Sequence, residues 1–449
     1  MKHLTPSLAL LALTGLATTT ASAASIADDL QIKVKGYVQA RATLGASAAT
    51  NNGTDQDYYS NVVPGTTTPP SGVNGVPGSE SQALNFGIRR VRLTFEATNT
   101  TGWFSNVTLR DEPIELSGDS STAPANGNTN GVQIFLAYIG KRFKTDSLEQ
   151  ELKIGLNKPY NSDSAIASDQ QLFGVDRPLS TLISFEREPG VSYKLTAPFL
   201  RAGVDVQNGT NSNRAALAAT GPGSGNYDAR PSPFYSARIE AAPGKEFMAA
   251  KKTESYVGAP GTQIMLGADY QNSGRSYAVA DQERTMQVYG PDLLVHYNGL
   301  TFLAEYRWTK MHGEATAGAA GNQDIDGKSW DAQAGYAIAT EIGLVIEPAL
   351  RFSVMNFDSS QDERSSWGLN TSRDNAVGNM AGAFTNAGLS SAALASGAAN
   401  LGSGSQLDVG VNLYWNGQAN KTQIGYLRWN AEAGDADASA FYIQQQVTF

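Results

Sequence analysis

Basic side chains recur at alternate positions within several apolar-polar segments spread along the sequence. They are Lys33, Lys35, Arg41, Arg90, Arg92, Arg110, Lys153, Lys194, Arg238, Arg307 and Arg351. Because rings of Arg and Lys lower the electrostatic barrier for anions in a narrow pore, this set predicts an anion track. Acids share the same parity at Asp205, Glu240, Glu305 and Glu347. The combined set therefore also fits the general polar lining of a water-filled lumen with a transverse field, and both interpretations stay open.

The stretch NQDIDGKSWDAQ, residues 322–333, has part of the spacing of a calcium-binding loop at Asn322, Asp324 and Asp326. Such a loop needs a bidentate Glu where Gln333 stands, and a helix should follow where this segment continues as a strand. The pattern favours an acidic loop tip, so we predict neither a metal site nor another cofactor.

The histidines do not form a recognisable catalytic arrangement. Beyond His3, the sequence contains only His296 and His312. A hydrolase needs a base beside its nucleophile, and no G-x-S-x-G motif lies near His296. We therefore expect a protein that is not an enzyme.

The composition limits the fold and its partners. The 449-residue chain has 46 glycines and no cysteine, so disulfides and thiolate metal sites cannot hold it together. Only 17% of the residues are charged, which is typical of strands joined by polar loops. The formal net charge of −9 argues against a general binder of nucleic acid or of anionic membranes.

The N-terminus has the layout of a cleavable secretory signal. A basic start is followed by an apolar run that ends at Leu16 and by small residues up to Ala23. The run is too short to cross a bilayer, where a helix needs about twenty residues. We predict that residues 1–23 are removed, that residues 24–449 form one domain, and that any membrane residence depends on strands.

The mature sequence is an all-β pattern of about sixteen segments in which apolar and polar residues alternate. The segments are 31–42, 84–97, 102–110, 131–140, 150–157, 189–197, 199–208, 234–242, 263–271, 285–298, 299–310, 328–340, 343–355, 405–416, 419–430 and 438–449. In the last one, Phe441, Ile443, Val447 and Phe449 share one parity and polar residues occupy the other. Strands with two such unlike faces fit either a soluble sandwich or a membrane barrel.

The connections discriminate between these two architectures. Those after even-numbered segments are mostly tight, as at 98–101 and 417–418, whereas those after odd-numbered segments are mostly long, including 43–83 and 356–404. Short periplasmic turns and long extracellular loops are the layout of an outer-membrane barrel. We therefore predict a transmembrane antiparallel β-barrel of about sixteen strands, although the connection 243–262 breaks the rule.

A sheet can stay in a membrane only without an unpaired edge, because each unpaired backbone group in hydrocarbon costs several kcal/mol. We expect FYIQQQVTF, residues 441–449, to close against QIKVKGYVQAR, residues 31–41. The same strand, ending at Phe449, is the expected contact with the barrel-assembly machinery. Aromatic residues near segment ends fit interfacial girdles that contact outer-membrane lipid. They are Trp103, Trp308, Tyr336, Trp415, Phe441 and Phe449.

The neighbouring residues Arg89 and Arg90 cannot both face a lumen, since adjacent strand residues point to opposite sides. A charge that faces lipid at mid-membrane costs about 2 to 4 kcal/mol. Phe86 and Ile88 also share the parity of Arg90. We predict that Arg89 lies near a rim, at a bulge or in a subunit contact, and that the strand changes phase nearby.

Six stretches, in order along the chain, carry a family resemblance. They are GYVQAR (36–41), FGIRRVRLTFEA (86–97), LKIGLNKPY (152–160), REPGVSYKL (187–195), YGPDLLVHYNGLTFLAEY (289–306) and YIQQQVTF (442–449). Together they resemble the phosphate-selective porin O and P family. The resemblance implies a sixteen-stranded barrel, usually trimeric, whose third extracellular loop folds into the lumen as a constriction.

The loop in the position of that constriction spans about residues 158–188. Phosphate-selective members of the family are understood to place arginines along the wall and lysines at the constriction. Here Arg41, Arg90 and Arg92 stand where such a wall ladder would begin. The loop holds the cations Lys158, Arg177 and Arg187 and the acids Asp163, Asp169, Asp176, Glu186 and Glu188. Because acids outnumber cations, the loop does not match a cationic eyelet and argues against phosphate specificity.

These features together predict a passive diffusion porin for small hydrophilic or ionic solutes. Its expected location is the outer membrane of a Gram-negative-type bacterium, as a homotrimer and with no nucleic-acid partner. Within transport, the alternative is a channel selective for phosphate or polyphosphate. A different class of protein is a surface adhesin or receptor whose long loops, above all 356–404, bind a partner while the barrel anchors them.

Overall fold

The computed structural model describes the strands and parts of their connections. The described residues are 29–49, 83–111, 132–161, 168–175, 177–178, 188–208, 229–231, 233–244, 254–259, 261–277, 282–313, 323–358, 404–431 and 436–449. Regular structure in these ranges is β-sheet apart from one 3-10 turn, Asp169–Gln171. Within them, no helix is long and apolar enough to span a bilayer. The predicted signal segment 1–23 lies outside the described residues.

Eighteen β segments form sixteen strands, because the eighth and twelfth strands are each interrupted once. The strands are β1 Gln31–Ala49, β2 Ala83–Thr98, β3 Trp103–Asp111, β4 Gln133–Lys144, β5 Glu149–Asn157, β6 Glu188–Thr196, β7 Leu200–Gln207, β8 Ala229–Pro231 with Phe234–Ala241, β9 Gln263–Tyr277, β10 Gln282–Tyr297, β11 Leu300–Gly313, β12 Gln323–Tyr336 with Ile338–Ala339, β13 Val345–Asp358, β14 Gly404–Asn416, β15 Asn420–Ala431 and β16 Ala436–Thr448. The prediction of an all-β chain with sixteen strands is confirmed.

The sheet closes on itself into a barrel. Every strand pairs antiparallel with its neighbours in the chain, and β1 pairs with both β2 and β16. At the seam, Gly36 and Phe449 exchange both backbone hydrogen bonds, each 2.9 Å long. A Cβ at Gly36 would collide with the Phe449 ring, which explains the glycine at this close approach. The predicted pairing of the first and last segments is confirmed.

The two faces of the strands are inverted relative to a soluble protein. In β16, Phe441, Ile443 and Val447 are exposed, whereas Gln444 and Gln446 are buried. The same pattern, with apolar side chains outward and polar side chains inward, recurs around the barrel. A hydrocarbon-facing exterior and a polar interior are the properties of a transmembrane barrel.

The two rims of the barrel differ. At one rim the strands are joined by tight turns, including residues 298–299 with positive φ at Asn298 and Gly299. The exposed aromatic residues Trp103, Tyr336 and Trp415 lie near this short-turn rim, where interfacial side chains are expected. The connection 242–262, between β8 and β9, is long although it starts and ends at the same rim.

Several segment boundaries differ from the prediction. β1 continues beyond residue 42 to Ala49, because β16 pairs with it over that length. β13 likewise runs to Asp358, and the remainder of both predicted long loops lies outside the described residues. Glu188 is a strand residue paired with Asn157, so the inserted loop ends before it.

The parity conflict at Arg89 and Arg90 is resolved by a β-bulge. Gln39 pairs with Arg90 while the next residue, Ala40, pairs with Ile88, so Arg89 is the extra residue. Phe86 is exposed on one side of the bulge and Arg90 is buried on the other. The predicted change of phase in the second strand is confirmed.

Candidate transport pathway

The wall cations named from the sequence differ in their exposure. Arg90, Arg92, Arg238, Arg307 and Arg351 are buried on the inner face of the barrel. The half-buried set is Arg41, Arg110, Lys153 and Lys194. Lys33 and Lys35 are exposed at the short-turn rim, where Lys35 pairs with Glu96 at 2.6 Å. Glu305 and Glu347 are also buried on the inner face.

Several further charges on the inner wall were not predicted from the sequence. They are Glu151, Asp269, Asp292, Asp331, Asp408 and Lys421, all buried. Each has the parity of an inward residue on its strand, so alternation alone would have found them once the strand phase was known. Their effect on the wall depends on cross-strand register, which the alternation does not specify.

One sector of the wall, from β8 to β11, is a buried network of ion pairs. Arg238 contacts Asp292 at 2.6 Å and Glu240 at 2.5 Å. Arg307 pairs with Asp269. A buried charge is tolerated only with close partners, so these arginines compensate acids of the wall. A third arginine, Arg351, pairs with Asp408 at 2.9 Å and extends the same pattern to β13 and β14.

The sector from β4 to β6 is different, because three cations surround one acid. Glu151 contacts Arg142 at 2.7 Å, Lys153 at 3.0 Å and Lys194 at 3.1 Å. The Glu151 side chain is 2% exposed, whereas Arg142, Lys153 and Lys194 are 48%, 20% and 22% exposed. On the adjacent strands Arg201 shows the same asymmetry against Glu240. The cations of this sector therefore face water and the acids do not.

The same separation holds for most inward charges of the described strands. The buried acids are Glu151, Asp205, Glu240, Asp269, Asp292, Glu305, Asp331, Glu347 and Asp408. The cations that keep solvent exposure are Lys33, Lys35, Arg41, Arg110, Arg142, Lys153, Lys194 and Arg201. On these described strands, two inward acids are half-buried, Glu96 beside Lys35 and Glu149 beside the exposed Lys144. The solvent-accessible charge of the described wall is consequently positive.

Arg92 and Arg110 face each other directly across β2 and β3. Like charges in this position are destabilising unless another group lies between them. The Phe135 ring supplies that group, with its centroid 3.7 Å from the Arg92 guanidinium carbon and 5.0 Å from that of Arg110. Cation–π attraction thus holds two guanidinium groups together on one patch of wall.

A chain of side-chain hydrogen bonds runs around the wall from a cation to an acid. Arg41 donates to Gln444 at 2.8 Å, and Gln444 donates to Gln423 at 3.1 Å. Gln423 donates to Asn412 at 3.1 Å, and Asn412 donates to Glu347 at 3.1 Å. We call these five residues the amide ladder. All four bonds have the same direction, so the dipoles of the amides align between the two charges.

Segment 168–175 of the connection between β5 and β6 lies against this ladder inside the barrel. Its carbonyl groups accept hydrogen bonds from the wall. Val175 O accepts from Arg41 at 3.1 Å and Phe173 O accepts from Asn412 at 3.0 Å. Lys421 donates to Leu172 O at 3.0 Å. The backbone of the segment therefore engages cations that would otherwise contact a solute.

The remaining residues of the predicted constriction loop are only partly described. Lys158 and Arg177 are half-buried, and Asp169 begins the 3-10 turn of the inserted segment. The acids Asp163, Asp176 and Glu186 and the cation Arg187 lie outside the described residues. Glu188 belongs to β6, where it pairs with Asn157, so it is not a loop residue.

The structure shows where the acids of the calcium-like stretch and His296 lie. Asp324 and Asp326 lie in β12, paired with His312 and Lys310 of β11, and an extended strand cannot wrap around an ion as a calcium loop does. Over the described ranges, no group of three or more His, Cys, Asp or Glu side chains is placed to hold a metal. His296 hydrogen-bonds Thr301 at 3.0 Å.

Comparison with known proteins gives a consistent result. The family model described as phosphate-selective porin O and P matches residues 71–427 of the chain. No match was found among curated proteins.

Three solved structures share the fold at low identity. The outer-membrane channel DcaP of Acinetobacter baumannii is 11% identical with a TM-score of 0.51, over 94% of this chain and 98% of that one. OprB of Pseudomonas putida is 9% identical with a TM-score of 0.52, over 96% of each chain. The anion-selective porin from Comamonas acidovorans is 8% identical with a TM-score of 0.51, over 94% and 100%. At these identities the likeness extends to the barrel alone.

Proposed function

Because the chain belongs to the phosphate-selective porin O and P family, and so is an outer-membrane porin through which solutes diffuse, we propose that its pore prefers small anions. The observation that carries this proposal is the separation of inward charges by exposure. Acids of the described wall are mostly buried against arginines, while cations of β1 and β3 to β7 remain accessible. We propose further that the channel is passive and has no catalytic step.

A permeating ion responds most strongly to the charges that it can approach. A buried carboxylate paired at hydrogen-bond distance presents a nearly neutral dipole to the lumen, whereas a partly exposed ammonium group presents its charge. Rings of accessible cations lower the barrier for anions and raise it for cations. The balance of accessible charge, and not the count of acids and bases, therefore decides the sign of selectivity.

The accessible cations follow one side of the barrel from rim to rim. Arg110 lies near the long-loop end of β3, Lys153 lies at mid-strand in β5, and Lys194 and Arg201 lie toward the short-turn rim. An anion on this side would meet a cation at each level. We propose that this side, and not the loop-covered wall of β14 to β2, lines the conducting path.

We propose general anion preference over specificity for phosphate or polyphosphate. Three cations that would suit a phosphate site, Arg41, Arg90 and Lys421, donate to backbone carbonyls of segment 168–175. Their hydrogen-bonding capacity is thus partly used before a solute arrives. Glu151 likewise occupies the centre of the Lys153 and Lys194 pair.

The decisive test is the reversal potential of single channels in a potassium chloride gradient. The unmodified protein should be anion-selective, and the double change of Lys153 and Lys194 to Gln should shift the potential toward cations. Lys310→Gln is the matched control, because Lys310 is exposed on the outer face. A cation-selective unmodified channel would overturn the proposal.

The same recordings separate the alternatives. Block of chloride current by micromolar phosphate would support a phosphate-selective channel, and a barrel that conducts nothing would support an adhesin or receptor. Small organic anions that reduce chloride current only at high concentration are the expected result for a general anion porin.

We also propose the assembly and export route. Residues 1–23 would direct export, and β16 with Phe449 would engage the barrel-assembly machinery at the outer membrane. The barrel would then form a homotrimer in the lipid. A heat-sensitive, high-mass band of three protomers on a denaturing gel, from outer-membrane fractions, is the expected observation. A single-protomer mass in mild detergent would contradict the trimer.

A further inference from the structure

The connection between β8 and β9 leaves the short-turn rim and enters the barrel. In its described part, Glu254 is 3% exposed and Ser255 is fully buried. Both strands that flank the connection end at the periplasmic side of a porin barrel. A segment that starts at this rim and is buried among inward side chains must occupy the periplasmic half of the lumen.

Polar contacts fix residues 254–259 to the inner wall. The Ser255 hydroxyl donates to the Glu347 carboxylate at 2.9 Å, and the Tyr414 hydroxyl donates to the same carboxylate at 2.6 Å. The Gln418 side chain donates to Val257 O at 2.8 Å. Glu347 is also the acidic end of the amide ladder, so the connection and the ladder share one carboxylate.

The wall beside this segment has an unusual composition for an inner face. Met265, Leu294 and Leu303 point inward on β9, β10 and β11 and are almost completely buried. The next inward position toward the short-turn rim is His296, whose ring lies 6.2 Å from the ring of Tyr256. A cluster of three buried apolar side chains beside a packed aromatic pair indicates that little water reaches this part of the lumen.

The connection also contacts the inserted segment from the opposite side of the membrane. The Glu254 amide donates to Gln171 O at 3.2 Å, and the Glu254 carboxylate accepts from the Phe173 amide at 3.0 Å. The Phe173 ring packs where Gly335 leaves room, since a Cβ on Gly335 would collide with it. One residue thus clamps the loop by both its backbone and its side chain.

We propose that Glu254 is a positioning residue of the pore, through which the β8–β9 connection braces segment 168–175 and sets the width of the periplasmic half of the channel. The inference rests on the proposed porin function. It gives the long periplasmic connection a role: a second inserted element that supports the first. Without the brace, the segment would keep its bonds to the amide ladder but lose those on its other side.

The groups around the Glu254 side chain support its role in holding segment 168–175. Burial raises its pKa above the ordinary carboxyl value, while the Phe173 amide and the charges of Arg177 and Arg351 act in the opposite direction. The positive charge of Lys421 also acts on Glu254. A carboxyl group at this depth is retained only where several donors and cations meet it.

The test compares single-channel conductance and open-channel current noise in planar bilayers. Glu254→Ala should raise conductance by about twofold and increase the noise, because the loop loses an anchor in a narrow path. At about pH 4, Glu254→Gln, which keeps an acceptor for the Phe173 amide, should remain close to the unmodified protein. Glu341→Ala is the matched control, since Glu341 is exposed in a turn at the same rim.

Each outcome shows whether Glu254 positions segment 168–175 or has no effect on the pore. Folding of Glu254→Ala is checked first, by the change in its mobility on a denaturing gel after heating. If the folded variant shows unchanged conductance and noise, the inference is overturned. If Glu254→Ala does not fold, Ser255→Ala takes its place, because it removes the connection's bond to Glu347; quiet, unaltered channels would then overturn the inference. Failure of the porin proposal has a different signature, the absence of current from the unmodified protein.

Discussion

Gly36 and Phe449 lie opposite each other at the seam of the barrel, joined by two backbone hydrogen bonds of 2.9 Å. The pair connects the first strand to the last residue of the chain, and the Phe449 ring occupies the space that a side chain at position 36 would need. An open sheet edge in lipid would leave backbone N–H and C=O groups unpaired. The Gly36–Phe449 contact therefore contributes to the closure that the sheet needs for stability in a membrane.

Gly36→Val should therefore destabilise the closed barrel. The added side chain collides with the Phe449 ring and makes a tight contact of 3.1 Å with the Arg92 carbonyl oxygen, and overpacking of this kind costs about 1 to 3 kcal/mol. The urea midpoint of unfolding in detergent and the temperature of heat modification on gels should both fall. Gly87→Val is the control, because nothing lies within 4 Å of a Cβ there. Equal effects at both positions would show that the seam is not special.

The alternation of apolar and polar residues predicted the barrel because one face of each strand meets lipid and the other meets the polar lumen. In YIQQQVTF, Gln444 and Gln446 face the polar interior while Ile443 and Val447 face outward. Period two is a local property, so the sequence shows it directly. The bulge at Arg89 was also detectable locally, because two adjacent arginines cannot obey one parity.

The contacts between distant segments were not predictable in the same way. Lys421 donates to Leu172 O across 249 positions of sequence, and Glu254 meets Phe173 although each belongs to a different connection. These contacts depend on where two loops fold within a closed lumen. Nothing in the composition of either loop specifies that position, and the acids of the predicted constriction did not indicate it.

Asn412→Leu should break the amide ladder near its acidic end. Asn412 donates to both Glu347 and Phe173 O, so its loss removes two buried hydrogen bonds. Each acceptor keeps another donor, Tyr414 at Glu347 and Gln423 at Phe173 O. Because a hydrogen bond contributes about 0.5 to 1.5 kcal/mol, the change should cost about 1 to 3 kcal/mol, and the inserted segment should fluctuate more. Denaturant unfolding and open-channel noise measure the two effects. Asn356→Leu, on the exposed outer face, should change neither, and a similar loss there would contradict the role of the ladder.

Arg238→Met should be more harmful than the loss of an accessible cation. Removing Arg238 leaves the buried Asp292 with Arg307 at 3.8 Å and the buried Glu240 with Arg201. Breaking a buried pair of this kind costs about 3 to 5 kcal/mol. The control, Arg142→Met, removes a side chain that is 48% exposed and should cost about 1 kcal/mol or less. The difference between their urea midpoints is the measurement. Equal midpoints would mean that the β8–β11 network is solvated in the protein.

Channel noise should increase with pH in the unmodified protein. Because burial raises the pKa of Glu254, the docked segment binds the Glu254 proton more tightly than the undocked one does. The contribution of protonated Glu254 to the docking of segment 168–175 is therefore complete below the ordinary carboxyl pKa of 4.5. It is lost as the pH rises through the raised pKa of Glu254 in the docked state. Noise recorded at fixed voltage from about pH 4 to about pH 8 follows this titration.

Glu254→Gln is the control for that titration, because an amide cannot ionise and should make the noise independent of pH. Arg177, Arg351 and Lys421 are the cations that act on Glu254. Their common effect is to favour the ionised carboxylate, so removing Arg351 should move the noise transition to higher pH. A transition that persists in Glu254→Gln would assign the pH response to another group and show that Glu254 does not control the channel noise.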